Sequence, residues 1–230
     1  MTAAYFDTHC HLQDPRFEGR VAEVVARAQA AGVTHMVCCA TREADWDRVL
    51  ELARDHAEVL PMLGLHPWFV AAAEGWLGRL RTLAQAPRIG IGECGLDFSP
   101  GRPDHADQEA AFEAQVRLAI ELDRPLSIHC VRAWGRLLDL LRRTGIPATG
   151  AALHAFSGSA EVAFQLQALG LYLSRGPGGA KPPAALPTRL LYETDAPGRG
   201  DREPAQLAQA AGPEAAQVQE NARRLFRSLL

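Results

Sequence analysis

At 230 residues, 47% hydrophobic and 22% charged, the chain has the composition of a globular protein with one sizeable core. A net charge of −3 excludes a global basic field, so a bound polyanion has to be met by local arginines or by metal ions. No basic, apolar-cored leader opens the chain, no apolar run is long enough to span a bilayer, and the five cysteines form no Cys-x-x-Cys. These features lead us to expect a cytoplasmic protein with reduced thiols and no membrane or obligate protein partner.

Strand and helix patterns alternate along the chain. Strands are expected at Tyr5–Thr8, Thr34–Cys39, Val59–Gly64, Ile89–Gly92, Leu126–His129, Gly150–Leu153, Leu171–Ser174 and Leu190–Glu193. Between them, Val21, Val24, Val25 and Ala28 follow helical spacing. So do Phe112, Val116, Ala119 and Ile120, and then Trp134, Leu137, Leu138 and Leu141. Val218, Ala222, Leu225, Phe226 and Leu229 form a closing amphipathic helix that Pro213 can open, and Gly32, Gly145 and Gly170 stand where helices should stop. Eight βα units predict one domain over residues 1–230, a (β/α)8 TIM barrel. The run Arg-Gly-Pro-Gly-Gly-Ala-Lys-Pro-Pro after Ser174 opposes helix, so the seventh helix is expected to be reduced or absent and the barrel slightly distorted.

Active sites of such barrels lie at the carboxyl ends of the strands. His9 and His11, two apart and hence on one face, end strand 1. His66 ends strand 3, Glu93 strand 4, His129 strand 5, His154 strand 6 and Asp195 strand 8, with Ile91, Ser127 and Ala152 sharing parity with Glu93, His129 and His154. His35, His56 and His105 fall elsewhere and read as ordinary polar residues. Four imidazoles and two carboxylates exceed the needs of one tetrahedral ion, so two divalent ions (Mg, Mn or Zn) are expected on His9, His11, Glu93, His129, His154 and Asp195. Glu93 would bridge them, and Asp195 would bind one ion and take a proton from the attacking water.

The motifs Phe6-Asp7-Thr8-His9-Cys10-His11-Leu12, Gly64-Leu65-His66-Pro67, Ile91-Gly92-Glu93-Cys94-Gly95-Leu96-Asp97, Ser127-Ile128-His129, His154-Ala155-Phe156-Ser157-Gly158-Ser159 and Glu193-Thr194-Asp195-Ala196-Pro197 resemble, in order, those of the TatD family of metal-dependent hydrolases. The resemblance implies a TIM-barrel amidohydrolase-superfamily member with divalent metal, acting as a deoxyribonuclease that removes nucleotides from a 3′ end or single strand of DNA. Its ligands fall on the six residues named above, with His66 beside the metals near substrate. The chain departs from the family at the short 173–188 stretch, after Pro197, and at Cys130-Val131-Arg132, all beside the substrate.

Other residues have plainer readings. Cys10, Cys94 and Cys130 alternate away from their neighbouring ligands into the layer under the helices, and Cys38 and Cys39 read as buried packing too. Glu193 shares the parity of Asp195 and is expected to orient a ligand from behind. Asp97 is either loop structure or a substrate contact. Arg132 either grips a phosphate or lies on a helix surface. Trp68 and Phe69 either stack on a base or cover apolar surface. Two alternatives stand beside the nuclease reading. One is an amidase, esterase or lactonase on the same metal rim; the other is a non-catalytic binding protein that keeps the fold. The only lysine, Lys181, lies far from strand 4, which disfavours a carboxylated-lysine bridge.

Overall fold

The computed structural model describes residues 4–72, 75–179 and 187–230. Its eight strands are β1 (Tyr5–Cys10), β2 (Val33–Cys39), β3 (Val59–Leu63), β4 (Gly90–Asp97), β5 (Leu126–Val131), β6 (Ala151–Leu153), β7 (Tyr172–Arg175) and β8 (Leu190–Tyr192). All are parallel and neighbour one another in chain order. β8 returns to β1 through the Cys10–Ala196 bridge, the Asp195 N–H to the His9 carbonyl (2.9 Å) and the His11 N–H to the Ala196 carbonyl (2.6 Å). Thus the barrel closes where the first and the last of the candidate ligand motifs meet.

Outside lie α1 (Val21–Ala30), α2 (Trp46–Asp55), α3 (Trp76–Ala84), α4 (His105–Leu122), α5 (Trp134–Thr144), α6 (Ala160–Ala168) and, after β8, a 3-10 segment Pro204–Ala210 and α7 (Ala215–Leu225). The stripe Val21, Val24, Val25 and Ala28 is the buried face of α1, and Leu137, Leu138 and Leu141 lie on that of α5. In α4 the stripe is displaced: Leu118 is buried while Ile120 is exposed. α7 starts at Ala215 rather than at Pro213, and its last turn carries Phe226 under the barrel, stacked 5.7 Å from Phe6. Between β7 and β8 the described residues hold a turn and the 3-10 segment Pro187–Arg189. Residues 180–186, including Lys181, lie outside the described residues.

Two apolar layers follow from strand alternation. The larger lies between barrel and helices and takes in Cys10, Cys38, Cys94 and Cys130. A smaller one fills the lower barrel interior with Phe6, Val37, Leu60, Met62, Ala152 and Leu191. Cys39 differs from the other thiols: it belongs to the inner layer, with its Sγ 3.4 Å from His9 Nδ1.

Strand β4 breaks its alternation. Ile91 pairs with Leu126 and Cys94 with Ile128, so β4 spends one residue more than β5 over this interval, a β-bulge at Gly92–Glu93. Ile91 and Cys94 both face the helix layer, so the expected shared parity of Ile91 and Glu93 is wrong; the bulge is what turns Glu93 inward. Gly95 has φ 143°, and a Cβ there would meet the His129 carbonyl oxygen at 2.0 Å. Only glycine lets β4 lie this close to the strand that carries His129.

Candidate metal centre

At the carboxyl rim Glu93 is buried in a ring of imidazoles that divide its two oxygens between them. Oε2 lies 3.4 Å from His9 Nε2 and 3.4 Å from His11 Nε2. Oε1 lies 3.3 Å from His66 Nε2, 3.1 Å from His129 Nδ1 and 2.8 Å from His154 Nε2. Asp195 enters from the other side, Oδ1 3.4 Å from His11 Nε2. Its side chain is 34% exposed, against 3% for Glu93, so Asp195 is the carboxylate open to the cavity. That cavity, of about 550 Å³, is lined by His11, His66, Glu93, His129, His154 and Asp195.

Ring nitrogens turned away from the centre decide which imidazoles can bind metal, because a neutral ring has one donor and one acceptor nitrogen. His11 Nδ1 donates to the Cys39 carbonyl oxygen (2.7 Å), which leaves its Nε2 lone pair free. His9 Nδ1 meets Ser127 Oγ at 3.0 Å. His129 Nε2 lies 3.7 Å from Asp97 Oδ2, and His154 Nδ1 lies 3.7 Å from Glu193 Oε1, so a carboxylate stands behind each ring. His66 is the reverse case. Its Nδ1 accepts the Trp68 backbone N–H (3.2 Å), so a neutral ring carries its proton on Nε2, toward Glu93. His66 is therefore arranged to donate to Glu93 rather than to bind an ion.

Charges follow from burial and neighbours. Burial opposes ionisation of Glu93, but His154, His66 and His9 hold its carboxyl well below the usual range. Burial brings His66 down to about 4, keeping it neutral. For His11 burial again disfavours charge, yet Asp195 and Glu93 outweigh it and push the ring up to about 9. Asp195, despite burial, is drawn down to about 2, chiefly by His11. The arrangement fits divalent ions. His9 and His11 Nε2 approach to 3.2 Å and His129 Nδ1 and His154 Nε2 to 3.0 Å, pairs of lone-pair donors that only a proton or a cation can hold together.

The remaining expected residues are placed as follows. Glu193 is buried; it accepts the Ala155 N–H at 2.6 Å and the Ser174 hydroxyl at 2.5 Å. Asp97 ends β4 with its oxygens turned to protein groups: the Trp68 indole N–H (2.6 Å), the Ser99 N–H (2.9 Å) and Arg102. It does not offer a free carboxylate to a substrate. Arg132 is exposed with φ 56° and is not among the cavity-lining residues, whereas Val131, Arg16, Arg42, Arg102 and Arg199 are. His35 and His105 lie outside the centre, stacked on Phe6 and Phe98. Sequence reasoning missed Asp7, which accepts from the Thr194 N–H (2.9 Å) and hydroxyl (2.5 Å) and so ties β1 to the residue before Asp195. Its place inside the first motif was the available signal.

A family model for TatD related DNase matches residues 6–227. The chain belongs to the TatD family of metal-dependent hydrolases. Among TatD relatives, the 3′-5′ ssDNA/RNA exonuclease TatD of Cronobacter turicensis is 38% identical over 84% of this chain and 78% of its own length. The uncharacterized metal-dependent hydrolase YjjV of Escherichia coli K12 is 33% identical over 86% of this chain and 81% of its own length. The crystal structure of that TatD homologue superposes with a TM-score of 0.89, covering 99% of both chains at 29% identity. A TatD-family hydrolase from Entamoeba histolytica, 18% identical with a TM-score of 0.82 over 99% of this chain and 97% of its own, shares the fold.

Proposed function

We propose that this TatD-family chain is a divalent-metal-dependent phosphodiesterase that shortens single-stranded DNA from its 3′ end. The observation that carries the reading is the division of the Glu93 oxygens, Oε2 to His9 and His11 and Oε1 to His129 and His154, as a carboxylate shared by two ions requires. The relatives named as 3′-5′ ssDNA/RNA exonucleases supply the substrate class and polarity. His9, His11 and Asp195 would hold one ion, His129 and His154 the other, and Glu93 both. When bound, such ions polarise the phosphoryl group and make water a better nucleophile at neutral pH. Asp195, open to the cavity and ionised, takes the proton of the attacking water on its carboxylate. His66 donates its Nε2 proton to Glu93 and fixes that carboxylate in place. Asp97 and Glu193 aim the His129 and His154 rings.

We also read residues 1–230 as one working unit in the cytoplasm. All five cysteines are free and buried, and no helix of the described residues is long and apolar enough to cross a membrane. The test is turnover of a 5′-labelled single-stranded oligonucleotide with chelator and with added Mg, Mn or Zn. Stepwise loss from the 3′ end, stopped by chelator, is the expected result. No cleavage in protein shown to contain two ions would overturn it in favour of a small-molecule amide or ester substrate.

A further inference from the structure

Beside the metal centre Arg102, in the loop between β4 and α4, is held in a way that no role described so far requires. Its guanidinium carbon lies over the Trp68 ring, 3.7 Å from its centre. Its Nε lies 3.3 Å from Asp97 Oδ2. The same carboxylate takes the Trp68 indole N–H and stands 3.7 Å from His129 Nε2. Arg102 makes no side-chain hydrogen bond among the described residues, has a side chain 33% exposed and lines the cavity with Trp68.

We propose that Arg102, laid on Trp68 and pinned by Asp97, is a binding residue for a substrate phosphate next to the one being cleaved. This rests on the phosphodiester reading above. An arginine held by ring and carboxylate presents its remaining N–H edge in a fixed direction, the geometry that grips phosphate oxygens in pairs. His129 and Asp97 stand between Arg102 and Glu93, which places its phosphate beside the reacting one. Among the described residues the other arginines that line the cavity are Arg16, Arg42 and Arg199, and of the four only Arg102 is held on Trp68 and Asp97. Val131, the register partner of Asp97, is apolar, and Arg132 lies outside the cavity. Arg16 spends its donors on Asp14, Asp201 and the Gly198 carbonyl. Arg42 is bonded to Asp45, whose other bond is to Thr41. The exposed Trp68 edge, 43% accessible for the residue, then lies against the strand that the phosphate belongs to.

The experiment is the binding of a fluorescein-labelled oligothymidylate by anisotropy over a salt series, together with its cleavage, for the wild type and for R102A, R102K and W68L. R102A should weaken binding and raise KM about tenfold and lower the salt slope by ~0.7, the share of one phosphate on a single strand. R102K should keep the slope and lose part of the affinity, and W68L should weaken binding at unchanged slope. Metal content should be that of the wild type throughout. A single uncharged methylphosphonate linkage, moved along the strand, should weaken the wild type at one position and leave R102A indifferent there. Wild-type affinity and slope in R102A would overturn the proposal. A wild type that binds the strand through Arg102 without cutting it would sink the nuclease reading alone, and one that does not bind it would sink both.

Discussion

Glu93 holds its charge in a buried site because imidazoles face both of its oxygens, so replacing it removes the one anion common to both ligand groups. Glu93→Gln keeps the shape. It should cut turnover by at least about 10³-fold and lower the metal-to-protein ratio measured on the purified protein; full activity would remove the bridging role. His66 and His11 separate a donor from a ligand. His11→Asn should lose bound metal, whereas His66→Asn should retain both ions and lose activity, about 10–100-fold as for groups that orient a ligand. Loss of metal in the His66 variant would show that its Nδ1 contact to Trp68 does not set the tautomer. The raised pKa of His11 gives a pH dependence of definite sign. In the metal-free protein its ion pair with Asp195 stabilises the fold fully below the ordinary histidine pKa, and that contribution is lost as pH rises through about 9. Metal must displace the same proton, so metal affinity should climb about tenfold per pH unit per proton up to about 9. Calorimetric titration in buffers of different ionisation enthalpy should show proton release.

At the scale of elements, β4 is the strand on which the site depends, and its sequence is read correctly only in part. The motif around Glu93 marks the position. Strict alternation fails there, because the extra residue at Gly92–Glu93 resets which side chains face inward. The glycines were the local signal, since isolated glycine in a strand marks a bulge or a close backbone approach. Gly95→Ala puts a methyl against the His129 carbonyl and a side chain at φ 143°, so it should cost about 3 kcal/mol or more in urea unfolding and disturb metal binding through His129. Leu137→Ala, in the buried face of α5 and remote from the centre, should lose a similar 2–5 kcal/mol with metal content intact. The displaced stripe of α4 has a comparable cause: Gln108 and Gln115 are buried on that helix because they bond the backbone of Asp97 and Leu65. Polar residues that hold strand ends cannot be told from surface residues by helical spacing.

For the whole molecule, the candidate ligands come from β1, β4 and β5 and from the chain just after β1, β6 and β8, so bound metal would staple the barrel around its circumference. Because the unfolded chain lacks that convergence, metal at ~1,000 times its Kd should add about 4 kcal/mol to the unfolding free energy. That amounts to roughly 10 °C in Tm for a chain of this size, read by thermal scans with and without chelator. An unchanged Tm in protein that binds the metal would place the site in the unfolded chain as well.

Eight strands in order, their polar ends and the family membership were all legible in the sequence, because parallel strands buried on both faces are apolar runs and a barrel puts every chemical group at one end of them. The convergence of the six candidate ligands at one rim was legible for the same reason. Only the tertiary structure decided which neighbours each residue of the site meets. The tautomer that makes His66 a donor depends on the Trp68 backbone N–H. The inward turn of Glu93 depends on a bulge measured against β5. Arg132 lies outside the cavity while Arg102, from another loop, lies in it on Trp68 and Asp97. Each of these is set by a neighbour distant or unpatterned in sequence, and local periodicity carries no information about which nitrogen, face or loop that neighbour will meet.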